Sequence, residues 1–186
     1  LPVVNIVVRG ELFRKGGRFC RVSAGSVEGE AATSTRHDPV VDCQNAALTT
    51  LVDRFMVPCR AHFSVHRIVF DVTLSQTHLP HLMRVVRRLY KNGYKRKQVQ
   101  VFTRFQSTGT QLENIALACH RVPAVHHTFV LRGDIHLLRT FPFKWMKDPN
   151  AVYVLNRMPA QPSDAPKQYR VVDTFWYVPK QWLAAF

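Results

Sequence analysis

Acidic side chains are scarce in this sequence. Its 186 residues hold 12 Asp and Glu against 26 Lys and Arg, a formal net charge of +14, and none falls between Val72 and Leu112. Such a surface attracts polyanions such as nucleic acid, anionic lipid heads or nucleotide phosphates, and charge alone does not choose among them. No run of eighteen apolar residues occurs, so no membrane-spanning helix is expected. The four cysteines, Cys20, Cys43, Cys59 and Cys119, form no CxxC and no Cys/His ligand spacing. That argues against structural zinc and leaves disulfides open; the plainest reading is four small apolar side chains. No signal or transit segment is legible ahead of the first strand-like residues, and an opening on Leu1 reads as a processed or excised piece, with the compartment open. With 46% hydrophobic and only 20% charged residues, a wholly disordered chain is excluded and one domain over residues 1–186 is expected.

What is present alternates. Val3 to Val8 (VVNIVV) is a short β-branched run that predicts a buried strand. Residues 9 to 45 are polar and lack clear periodicity, which predicts a long loop. Leu48, Leu51, Val52, Phe55 and Cys59 recur at helical spacing within Ala46 to Phe63, with Pro58 expected to kink or end the helix. His66 to Leu74 predicts a second strand. Leu79, Leu82, Met83, Val86 and Tyr90 mark one face of a helix that Asn92-Gly93 closes. Gln98 to Phe105 predicts a third strand, Thr110 to Cys119 a helix with Thr110 and Glu113 at capping-box spacing, and Thr128 to Leu131 a fourth strand. Ala151 to Leu155 and Tyr169 to Tyr177 are further strand candidates, and Trp182 to Phe186 begins an apolar segment. This order predicts an α/β fold with a largely parallel or mixed sheet and helices on both faces.

In such a sheet, ligands bind outside the carboxyl ends of the strands near a topological switch point. The polar groups that directly follow apolar strands therefore carry the most weight: Arg9-Gly10-Glu11, Asp71, Arg132-Gly133-Asp134 and Asp173-Thr174. For any one carboxylate the competing reading is a helix cap or an ion-pair partner. Together, with arginines beside them, they suit a divalent metal, ribose hydroxyls or phosphate oxygens.

Three stretches resemble a known family. FVLRGDIHLLRTFPF (Phe129 to Phe143) resembles the metal-site strand of GT-A glycosyltransferases, where a hydrophobic strand ends in an acidic motif. RVVDTFWYVPKQWLAAF (Arg170 to Phe186) and VVNIVVRGELFR (Val3 to Arg14) resemble a later and the opening segment of glycosyltransferase-like proteins. The resemblance implies a GT-A/Rossmann-like fold that binds a nucleoside diphosphate sugar and transfers the sugar to a hydroxyl acceptor. It implies Asp134 beside the diphosphate and its Mn2+ or Mg2+, and Asp173 on the acceptor side, as the catalytic carboxylates. Arg9, Arg14 and Arg132 would then bind the donor phosphates. The usual motif has two carboxylates two residues apart; here Arg132 takes the first place. Either Asp71 or Asp173 converges on Asp134 to hold the metal, or Arg132 neutralises the diphosphate itself, or the site is dead.

The acid-free window supports a second reading. Seven of its eight cations lie between Arg84 and Lys97. Arg84, Arg88 and Lys91 share a helix face opposite the apolar stripe, and Lys95, Arg96 and Lys97 extend the patch. As a polyanion footprint this face would bind RNA through phosphates, with Tyr90 and Tyr94 available for stacking, and without base readout. The chain would then be a non-catalytic, basic structural subunit of an RNA-rich assembly such as an organellar ribosome. The transferase reading places it in the Golgi or secretory lumen, the other in an organelle matrix. The histidine pairs His62/His66 and His78/His81 have ligand spacing but straddle helix ends, and are not expected to bind metal.

Overall fold

The computed structural model describes residues 1–13, 39–105, 111–154 and 175–183. β1 (Val3–Glu11) is buried along most of its length, as a β-branched run must be when both sheet faces are covered. α1 (Pro39–Leu51) passes into a π-helical turn (Val52–Met56) and then α2 (Val57–Cys59). β2 (Ser64–Thr73) leads through a 3-10 turn at Gln76–His78 into α3 (Leu79–Lys91). There follow β3 (Val99–Arg104), α4 (Gln111–Cys119), β4 (His127–Arg132), β5 (Tyr153–Val154), β6 (Phe175–Val178) and α5 (Lys180–Leu183).

The six strands form one sheet in the order β3-β2-β1-β4-β6-β5. β1 to β4 run parallel, β6 is antiparallel to β4, and β5 is antiparallel to β6. The expected α/β fold with a mostly parallel sheet is the fold adopted. On one face, Val4, Ile6 and Val8 of β1 pack with Leu48, Phe55 and Leu82 from α1, the π turn and α3. On the other, Val7 packs with Ala118 of α4, and Val130 with Ile115 and Leu183. Helices therefore cover both faces. Phe55 is the hub of the first face, its ring 5.1 Å from those of Phe129 and Phe141 and 5.2 Å from Phe143.

One local expectation is corrected. Helix begins at Pro39, inside the stretch expected to be loop, because Pro is compatible with the first helical turn. As expected, the helical course ends, at Cys59, directly after Pro58. Pro58 has no N–H for the Arg54 carbonyl, and that oxygen instead accepts from the Phe141 N–H at 2.8 Å. Just ahead, the Val57 N–H donates to Val52 five residues back, so the wider π turn absorbs the mismatch. α3 closes as expected, with Gly93 at φ +86°. Thr110, the expected cap of α4, lies outside the described residues.

Candidate functional site

The strand order reverses between β1 and β4, so their carboxyl ends open the crevice where ligands of such sheets sit. Register places one row of side chains across four strands there: Phe102, Asp71, Arg9 and Arg132. Adjacent partners in parallel strands share a face, and this row faces α4. Arg9 is only 3% exposed and Asp71 1%. Arg104 donates to Asp71 Oδ1 at 2.6 Å and to Asn114 Oδ1 at 2.9 Å. Arg121 reaches along the sheet, its guanidinium 4.4 Å from the Phe102 ring centroid, to stand 3.6 Å from Asp71 Oδ2. Asp71 thus anchors a charged layer beside Arg9. Burial pushes the Cys119 thiol up to about 11 while the Arg9 charge pulls it down, so this cysteine is a packing residue.

Arg132, Gly133 and Asp134 leave β4 next to this row. Arg132 grips Asp134 through Nε at 2.9 Å and Nη2 at 2.5 Å, one nitrogen to each carboxylate oxygen. The Gly133 N–H donates to the Arg9 carbonyl at 2.9 Å, which holds the two strand ends together. A Cβ on Gly133 would collide with the Leu12 side chain and lie 3.3 Å from Val8 Cγ1. Gly10, by contrast, has φ +111° and open space where its Cβ would be. Backbone is therefore close-packed at Gly133, and among the described residues nothing covers the Cβ position of Gly10.

Gln44 of α1 ties the two exits from the other face. Its Nε2 donates to the Gly133 carbonyl at 2.9 Å, and its Oε1 accepts from the Phe13 N–H at 3.4 Å. Phe13 holds a left-handed backbone, φ +58°, and stacks on His78 with centroids 4.7 Å apart. Such a conformation costs a non-glycine residue roughly 1–2 kcal/mol, and the Gln44 bond and ring stack offset it. His81 lies beside them, its Nδ1 2.6 Å from Arg84 Nη2 and 3.0 Å from Asn45 Nδ2. Arg84 can only donate, so Nδ1 of the ring is the acceptor in that contact. Burial first, then the Arg84 and His78 charges, hold its pKa below the usual value. Sequence reasoning missed Gln44 and Phe13. The available signal for Gln44 was a polar residue on the Val41–Leu48–Leu51 apolar stripe.

Of the expected site residues, Arg9, Arg132 and Asp134 meet at one rim with Asp71. Arg14 and Asp173 lie outside the described residues. Among the described residues no group of three His, Cys, Asp or Glu side chains can hold a metal ion, and both Asp134 oxygens serve Arg132. Of the carboxylates expected to share Mn2+ or Mg2+, Asp71 is engaged by Arg104 and Asp134 by Arg132. No helix among the described residues is long and apolar enough to cross a membrane.

The expected polyanion residues Arg84, Arg88, Lys91, Lys95, Arg96 and Lys97 are all exposed. They span from the crevice rim, where Arg84 meets His81, along α3 to the opposite end of the sheet, where the 3-10 turn Arg96–Gln98 precedes β3. Arg88 is held by Asp53 of the π turn through two bonds of 2.7 and 2.6 Å. Tyr94 is not available for stacking: it is buried and its hydroxyl donates to the Met56 carbonyl at 2.5 Å. Tyr90 packs against the core.

No protein-family profile and no curated protein sequence matches the chain.

Proposed function

We propose that this chain is a glycosyltransferase-like domain that takes a nucleoside diphosphate sugar in the crevice at the carboxyl ends of β1 and β4 and passes the sugar to a hydroxyl acceptor. The observation that carries the reading is the row Asp71–Arg9–Arg132 at the point where the strand order reverses. Arg132, a quarter exposed at the rim, suits a phosphate, and buried Arg9 adds positive charge behind it, with Asp71 as a fixed counter-charge. Open space at Gly10 favours close approach of a ligand to backbone. In this reading Arg9 and Arg132 stabilise the negative charge that grows on the leaving diphosphate, the role a metal fills elsewhere. Asp134 orients Arg132 and accepts the proton of the acceptor hydroxyl.

Thermal-shift measurements with nucleoside diphosphates and their sugars, with and without Mn2+, test it. A donor at a hundred times its dissociation constant should stabilise the fold by about 2.7 kcal/mol without added metal. Arg132→Ala and Asp134→Ala should each remove that shift and leave the unliganded protein folded. A shift that appears only with Mn2+ would return Asp134 to a metal-binding role. No shift with any donor, in folded protein that binds RNA, would favour the structural-subunit reading, which draws its support from the exposed cations of α3.

A further inference from the structure

On the α1–α3 face, three neighbouring elements present one outer surface. The π turn lies in the middle. Asp53 reaches to Arg88 of α3 on one side. On the other, Arg54 donates to the Leu137 carbonyl at 2.7 Å and its own carbonyl accepts from Phe141. The segment that leaves the crevice after Asp134 is thereby strapped across α1 and the π turn, and the Leu137 N–H completes the strap on Thr50 Oγ1 at 3.1 Å. Phe141 and Phe143 are buried beneath it.

Held in this way, the segment turns apolar side chains outward. Leu138 is 80% exposed and Trp145 73%. Arg139, Lys144 and Lys147 beside them are exposed too, as are Arg84, Arg87 and Lys91 across the π turn on α3. We propose that this face docks on an anionic lipid surface, with Leu138 and Trp145 entering the headgroup region and the surrounding cations meeting lipid phosphates and carboxylates. Trp is suited to that depth because its ring is apolar and its N–H polar. Lys and Arg reach headgroups while their stems cover apolar area. RNA fits this face less well. A protruding leucine gains nothing from a phosphodiester backbone, Tyr94 is turned into the core, and Tyr90 packs against it.

Sedimentation of the full chain with phosphatidylcholine vesicles, with and without phosphatidylserine, reads the proposal. Association is expected only with the anionic vesicles and should weaken as salt rises. Leu138→Ser combined with Trp145→Ser should lower the partition about tenfold or more, since two large apolar side chains no longer enter the interface. Lys144→Glu with Lys147→Glu should lower it through charge alone. All four positions are exposed, so the thermal midpoint of each variant should match the parent. As an independent reading, brominated phospholipid should quench part of the tryptophan emission of the parent, and that part should be missing in Trp145→Ser. Equal association with both vesicle types, no association at low salt, or a Leu138/Trp145 variant that partitions like the parent would each overturn the proposal. So would a single-stranded RNA homopolymer that binds parent and variant alike while vesicles bind neither.

Discussion

Arg104 and Arg88 each hold a carboxylate at 2.6 Å, yet their surroundings differ. Asp71, the partner of Arg104, is sealed beneath α4, whereas the side chains of Asp53 and Arg88 are 37% and 48% exposed. Breaking a buried pair strands a charge that has already lost its water, while a surface pair exchanges its partner for solvent. Asp71→Ala should therefore cost about 3 kcal/mol, within the range for such losses and at its low end because Arg104 and Arg121 reach solvent. Asp53→Ala should cost less than about 1 kcal/mol. Urea unfolding midpoints of the two variants measure the contrast, and equal midpoints would mean that the Asp71 layer contributes no more than a surface pair. Asp71 itself was legible in the sequence as a carboxylate at a strand end. Its partners Arg104 and Arg121 were not, because they come from other elements and only the sheet register brings them to it. Asp134 was legible too, but not its bond to Arg132: residues two apart share a strand face, and that bond forms where the strand stops.

Between elements, the closest approach that matters is the crossing of the β1 and β4 exits. Gly133 lies where a Cβ would strike Leu12, a buried side chain that itself begins the segment after β1. Gly133→Ala should destabilise by about 1–3 kcal/mol through overpacking. In a Leu12→Ala background the same change should cost less, and that difference, read as a double-mutant cycle, reports the contact directly. Additive effects would place the strain of Gly133→Ala elsewhere. At this scale the sequence was informative where period was strong. The β-branched run of β1, the alternation of β3 and the amphipathic α3 appear within a few residues of their expected positions. α3 buries Leu82, Val85, Val86 and Leu89, a stripe rotated slightly from the expected one. The first half of α1 was missed because its apolar stripe is interrupted by Gln44. The π turn was missed because nothing local to Pro58 reveals that Phe141, far along the chain, supplies the hydrogen bond it lacks.

For the molecule as a whole, three histidines set a common pH response. The rings of His66, His81 and His127 all have pKa values below 6.5, burial being the first cause in each case, followed by neighbouring positive charge. A histidine whose folded pKa is depressed binds fewer protons folded than unfolded. The fold should hold its full stability above about pH 6.5 and lose it progressively as the pH falls toward the folded values. Thermal midpoints across buffers from neutral to about pH 5 should decline, and a flat profile would show that these rings exchange protons equally in both states. The direction of β6 was a whole-molecule property that local pattern could not supply. Its residues read as a strand, but parallel or antiparallel pairing depends on how the chain returns to the sheet.

The strand order also sets a timetable. β1 lies at the centre of the parallel region, between β2 and β4, yet it is made before either of them. About sixty residues separate Glu11 from the end of β2 at Thr73, and about sixty more precede the end of β4 at Arg132. On a ribosome adding roughly 5–20 residues per second, β1 waits about 3–12 s for its first neighbour and as long again for its second. Throughout that interval VVNIVV is an uncharged, β-branched segment with no partner, the composition that pairs readily with copies of itself. Production of this protein is thus a race between translation and self-association, one that slow synthesis worsens and a chaperone holding β1 would relieve.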